Sequence, residues 1–161
     1  MQGMSAPNEA SPLGTKKLAQ VAIVVKDIDA AAHNWAELLG VRVPEVIETA
    51  EGEIVNMSYR GEPSSAKARL AFFDLGGVQL ELIEPIGSES AWFEGLPEKG
   101  ERLHHIAFWT DDMHASAAEL EEHHVPLIHR GDMGDGQYAY FDAQDQLGAV
   151  IELLEHKRTP L

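Results

Sequence analysis

Four side chains in this chain have the types and spacing to hold a metal ion: Gln20, Glu81, His105 and Glu152. They recur in pairs. The stretch Gln20-Val21-Ala22-Ile23-Val24-Val25-Lys26-Asp27 overlays His105-Ile106-Ala107-Phe108-Trp109-Thr110-Asp111-Asp112 at an offset of 85 residues. Leu80-Glu81-Leu82-Ile83-Glu84 overlays Ile151-Glu152-Leu153-Leu154-Glu155 at an offset of 71. A carboxylate inside an apolar strand is costly to bury without a partner, so two at matched positions call for a cation or strong donors. The ordinary alternative is that each glutamate faces water on a half-exposed sheet. One imidazole, two carboxylates and an amide oxygen make an oxygen-rich set suited to Zn²⁺, Co²⁺, Ni²⁺, Mn²⁺ or Mg²⁺. Such an ion can hold two neighbouring substrate oxygens and stabilise an enediolate as a Lewis acid. Removal of a proton α to a carbonyl then needs a base, for which Glu152 is the candidate, with Glu81 as a second acid/base. Gln20 cannot accept a proton, so its role is ligation.

The elements that must position these groups follow from periodicity. Residues 18–25 form an apolar, β-branched run that predicts a strand covered on both faces. Asp27 caps a helix over about 28–39, with Asp29 in its first turn, and Gly40 stops it. Extended segments are predicted at 42–49, interrupted by Pro44, and at 54–60 and 67–75, joined by the turn cluster 61–65. Gly76-Gly77 then makes a hairpin with 78–84. The second half repeats this order: a strand over 104–110, Asp112 as a cap, a helix to about His124, a short strand near 126–129, and a closing hairpin of 138–142 with 149–154. The loop 131–136 reads either as a mobile lid or as an ordinary hairpin loop. Residues 1–15 read as a disordered leader, 16–87 as a first βαβββ module, 88–102 as a linker and 103–156 as a second module. Within the linker, Trp92, Phe93 and Leu96 suit a short helix. The predicted class is α+β, with paired βαβββ modules forming a curved mixed sheet around a metal-containing cleft. Pseudo-twofold symmetry would bring Gln20 near His105 and Glu81 near Glu152. His104, adjacent to His105, is expected on the opposite strand face as a surface or packing residue. Trp109 shares the face of His105 and is a candidate pocket wall, with core packing the more ordinary reading. His123 and His124 suit a helix end, while His33, His114, His129 and His156 show no partner pattern.

Bulk composition narrows the classes. With 12 Lys and Arg against 27 Asp and Glu, the formal charge is −15, which opposes binding to nucleic acid. It also counts against a polyanionic substrate unless Lys16, Lys17, Arg60, Lys67, Arg69 and Arg130 make a local basic patch. Cysteine is absent, which rules out disulfides and thiolate metal sites. No run is long enough to span a bilayer and no signal-peptide order opens the chain, so a cytoplasmic protein is expected. Open edges of the half-sheets favour a homodimer.

The stretch LHHIAFWTDDMHASAAELEE, preceded by VQLELIEP and followed by GAVIELLE, resembles the vicinal oxygen chelate superfamily (glyoxalase/bleomycin resistance/dioxygenase-like). Within it the chain is similar to methylmalonyl-CoA epimerases and glyoxalase I-like lyases, over about residues 18–155. The resemblance implies the same four ligands. Gln20 stands where epimerases usually have His but where eukaryotic-type glyoxalase I has Gln; Glu81, His105 and Glu152 match directly. Two positions depart from the epimerase pattern. Its further glutamate, a proton-transfer base, aligns nearest Asn56, with Glu53 three residues away, and Asp142-Ala143 replaces its His-Pro pair. The implied function is metal-dependent proton transfer α to a carbonyl, methylmalonyl-CoA epimerase-like, on an acyl-CoA. The alternatives are a lactoylglutathione lyase acting on a glutathione thioester or hemithioacetal, and a metal-free drug-binding protein. Iron dioxygenase chemistry would need two strand-borne His and one carboxylate, which this pattern lacks.

Overall fold

A computed structural model of the chain describes residues 11–87, 89–94, 96 and 100–157. The first ten residues of the expected leader, and part of the expected short helix around Leu96, therefore lie outside the described residues. The elements run β1 (Leu18–Val24), α1 (Ile28–Leu39), β2 (Ile47–Glu48), β3 (Ser58–Tyr59), β4 (Glu62–Pro63), β5 (Lys67–Asp74), β6 (Gln79–Ile86), β7 (Arg102–Trp109), α2 (Met113–Glu122), β8 (Leu127–Met133), β9 (Gly136–Ala143), α3 (Gln144–Leu147) and β10 (Ala149–Glu155). They build one mixed sheet in the order β2-β5-β6-β1-β7-β10-β9-β8-β3-β4. No helix among the described residues is long and apolar enough to cross a membrane.

The duplication is visible in the register. β1 lies parallel to β6 with Ala22 opposite Glu81, and β7 lies parallel to β10 with Ala107 opposite Glu152. β1 and β7 run antiparallel at the centre, Gln20 opposite Ala107 and Ala22 opposite His105, which is a pseudo-twofold relation between the halves. Asp27 and Asp112 cap their helices as expected, each side chain accepting from the third residue on, Ala30 and Ala115. Both helices lie on the outer face. Ile28, Ala32 and Ala36 of α1 pack with Ala71, Phe73 and Leu82, and Met113 and Leu120 of α2 pack with Phe141, Ile151 and Leu153. A separate inner cluster, with Ala22, Ile83, Met57, Trp92, Tyr140 and Val150, fills the concave side.

Residues 49–66 depart from expectation. Segment 54–60 does not pair with 67–75; only Ser58–Tyr59 is strand, and it pairs with β8 of the other half. From the β5 edge, where Thr49 N–H reaches Ala68 O, the chain crosses to the far edge. There Asp132 N–H donates to Val55 O and Arg60 N–H to Ile128 O. The hairpin β3–β4 turns at Arg60-Gly61, both with positive φ (50° and 82°), a primed two-residue turn. Val55, Met57 and Tyr59, alternate residues of this segment, all pack on the inner cluster. Alternation specifies a face, however, and not the strand it will pair with. Two smaller differences follow. The stretch 42–49 contributes only Ile47–Glu48 to the sheet, and the loop 131–136 is mostly strand, closed by a tight turn at Gly134-Asp135. That turn is too short to be a lid.

The crossing segment is seated by Gly52, where an added Cβ would stand 1.9 Å from Ser64 O. Gly52→Ala should therefore cost about 1–3 kcal/mol in a denaturant unfolding experiment, the usual range for overpacking against backbone. A change within experimental error would show that the crossing is not held at this point.

Candidate metal centre

Matched strands bring the four sequence-selected side chains together. Gln20, Glu81, His105 and Glu152 are all buried. His105 Nε2 lies 3.3 Å from Glu81 Oε2, 2.9 Å from Glu152 Oε2 and 2.8 Å from Gln20 Oε1. The same Gln20 atom is 2.8 Å from Glu81 Oε2 and 3.0 Å from Glu152 Oε2. Donor atoms held at right angles about 2.1 Å from one ion lie about 3.0 Å apart. The observed spacings match that figure, so the cluster is compatible with one divalent metal. The amide of Gln20 can serve in either orientation. With Nε2 donating to Gln79 Oε1 at 2.7 Å, its oxygen faces the cluster; flipped, its nitrogen donates to both carboxylates.

His104 corrects the expectation made for it. The β1–β7 ladder pairs Ala22 with His105 but Ile23 with Leu103, so His104 is the extra residue of a β-bulge. Ala19 is bulged at the equivalent point of β1. A bulge breaks strict alternation. His104 consequently turns inward beside His105 and is buried. His104 Nε2–H donates to Ala91 O at 3.0 Å. Burial, and next the neighbouring His105, push its pKa well down, so it is neutral and its Nδ1 carries a lone pair. That lone pair accepts from His105 Nδ1–H at 2.8 Å. His105 is thereby fixed with Nε2 toward the carboxylates, the orientation a metal-ligating imidazole needs. A bulge has no local sequence signal, and only the ladder shows it.

Without an ion, the charges settle among themselves. Burial alone would lower the pKa of His105, but the carboxylates of Glu152 and Glu81 outweigh it and raise it to about 9. Burial also raises the pKa of Glu81, helped by Glu152 and opposed by His105. An imidazolium then takes the place a metal cation would fill.

Gln20, Glu81 and Glu152 of the cluster line a cavity of about 370 Å³. Its walls are mainly apolar and aromatic: Val55, Met57, Phe72, Trp92, Trp109 and Tyr140 among them. Trp109 thus lines the pocket as its strand face suggested. No Lys or Arg is among the described lining residues. Of the candidate basic patch, Arg60 pairs with Glu94, Lys67 with Glu48, Arg69 with Asp29 and Glu84, and Arg130 with Asp132. Asn56 donates to Asp132 Oδ2 at 2.6 Å.

Residues 19–141 match the family model of the glyoxalase/bleomycin resistance protein/dioxygenase superfamily, and the chain belongs to that superfamily. It is 38% identical over 95 residues to the Bacillus subtilis protein YqjC, covering 56% of this chain and 67% of that one. It is 26% identical over 117 residues to mouse mitochondrial methylmalonyl-CoA epimerase. That match covers 71% of this chain but only 57% of the mouse protein, so the chain spans little more than half of that relative. A Streptomyces coelicolor methylmalonyl-CoA epimerase solved with 2-nitronate-propionyl-CoA superposes with a TM-score of 0.60 at 26% identity, covering 86% and 96% of the two chains. The fold is the one that this epimerase structure has.

Two outcomes are expected. Replacing His104 by Phe removes the acceptor that orients His105 and should weaken divalent metal binding about 10- to 100-fold in a chelator competition; unchanged affinity would remove His104 from the account. In the metal-free protein His105 holds a proton below pH 9 that an ion must displace. Apparent metal affinity should then climb as pH rises toward 9, with proton release detectable by calorimetry in buffers of different ionisation enthalpy. Affinity flat between pH 6.5 and 9 would contradict it.

Proposed function

We propose that this member of the glyoxalase/bleomycin resistance/dioxygenase superfamily is a metal-dependent epimerase that moves a proton α to a thioester carbonyl, on a methylmalonyl-CoA-like substrate. One observation carries the reading. Two buried carboxylates, Glu81 and Glu152, occupy equivalent positions in the two halves and both lie against His105 Nε2, at 3.3 and 2.9 Å. Epimerisation requires removal of a proton from one face of a carbon and return to the other, and a pseudo-twofold pair of carboxylates is built for it. The similarity to epimerases supports the substrate class.

Gln20, Glu81, His105 and Glu152 would hold the ion. When bound, a divalent cation supplies Lewis acidity to oxygens adjoining the α-carbon, which acidifies the α-proton. Glu152 takes that proton from one face, and the C–H electrons pass into the enolate. Glu81 delivers a proton to the opposite face, and the roles reverse for the other isomer. Trp92, Trp109 and Phe72 keep water from the cavity and so lengthen the life of the enolate. A lactoylglutathione-lyase-type reaction, which moves a proton between adjacent carbons, is the second reading. Gln20 at the first ligand position and the absence of Lys or Arg among the described cavity residues favour it.

Deuterium uptake at the α-carbon of methylmalonyl-CoA, with metal content measured in parallel, tests the proposal. Wild type should exchange both isomers. Glu152→Gln should lose at least about 100-fold on one isomer and Glu81→Gln on the other. No exchange by metal-loaded wild type, with turnover of the glutathione–methylglyoxal adduct, would replace this reading with the second.

A further inference from the structure

Outside the four-residue cluster, the cavity contains a hydroxyl whose hydrogen is unspent. Tyr138 lines the cavity two residues along β9 from Tyr140, and Tyr140 packs its ring on His105, 5.0 Å between centroids. Side chains two apart share a strand face, so Tyr138 stands on the face that carries the site. Its phenol is placed by two independent features. Gly131, opposite it on β8, leaves the space the ring occupies: an added Cβ there would lie 2.6 Å from the Tyr138 hydroxyl oxygen and 2.7 Å from its ring. His129 Nε2 lies 3.1 Å from the same oxygen.

The direction of that hydrogen bond follows from the far side of the imidazole. Ala91 N–H, which can only donate, points at His129 Nδ1 at 3.4 Å. The hydrogen of neutral His129 is therefore on Nε2, and Nε2–H donates to Tyr138. Burial depresses the His129 pKa to about 3, so it stays neutral and in that tautomer. Tyr138 oxygen is thus an acceptor on its β8 side, and its own O–H has no acceptor among the described residues. Tyr140 is arranged similarly, accepting from Trp92 Nε1–H at 3.0 Å, but it is buried against the histidines. Tyr138 is partly exposed and can be reached. A donor held ready in an apolar cavity awaits an oxygen.

We propose that Tyr138 is a substrate-binding residue whose hydroxyl, held by His129 and seated on Gly131, donates a hydrogen bond to a carboxylate oxygen of a malonyl-type anion. No Lys or Arg is among the described lining residues, whose charged members are Glu81, Glu152 and Asp132, so away from the cluster such a carboxylate depends on neutral donors such as Tyr138, and a donor to an anion forms a charge-assisted hydrogen bond. This assignment takes the ligand class from the proposed reaction, but its test does not depend on turnover.

The experiment is calorimetric titration of malonate into metal-loaded protein. Tyr138→Phe should bind malonate about tenfold more weakly, which corresponds to about 1.4 kcal/mol, with metal affinity and unfolding midpoint unchanged. Gly131→Ala, which displaces the ring without removing the hydroxyl, should lose affinity in the same direction. Equal malonate affinity in wild type and Tyr138→Phe overturns the assignment, as does absence of malonate binding to wild type. Tyr138-dependent malonate binding by a protein that exchanges no α-proton would uphold Tyr138 and sink the epimerase reading instead.

Discussion

Two carboxylates buried beside one imidazole set the terms for the rest of this molecule. Glu81 and Glu152 lie away from water, each between two apolar strand neighbours (Leu80 and Leu82, Ile151 and Leu153), and each approaches His105 Nε2 within 3.3 Å. Taken singly, such groups would cost several kcal/mol; together with a cation, whether imidazolium or metal, their charge is compensated. The duplicated strand–helix–strands unit is what makes the convergence possible. It places the same strand position from each half at one central seam, where β1 and β7 run antiparallel.

Around that seam the structure spends its irregularities. The bulge at His104 aligns two adjacent histidines on one side and fixes the tautomer of the inner one. The counterpart bulge at Ala19 presents no side chain of chemical interest, so the two halves share a backbone device but only one of them uses it. Symmetry also breaks at the first position, where Gln20 stands opposite in role to His105. An amide can turn either its oxygen or its nitrogen inward, toward a cation or toward the two carboxylates. The crossing of 49–66 ties the far edges of the curled sheet and brings Val55 and Met57 into the cavity wall.

Much of this was legible from the chain alone. The offsets of 85 and 71 residues located the four cluster residues, the two helix caps and the central strands, because burial and capping are written in local residue type. Non-local pairing was not legible. The 54–60 segment reads as a strand of its own module, yet its partner is His129-Arg130 in the other half. His104 was misplaced because alternation assumes an unbroken ladder. His129 and Tyr138 escaped notice for the same reason: each looks ordinary in sequence, and their value comes from a cross-strand contact and from the missing side chain of Gly131.

The central claim is that one divalent ion sits among these four side chains. Anomalous diffraction from crystals grown with Co²⁺ addresses it directly. The account predicts a single strong peak per chain, bounded by the oxygens of Gln20, Glu81 and Glu152 and by Nε2 of His105, and absent in Glu81→Gln/Glu152→Gln. Cobalt bound elsewhere, or a protein in which His105 keeps its hydrogen bonds to both carboxylates at saturating metal, would contradict it.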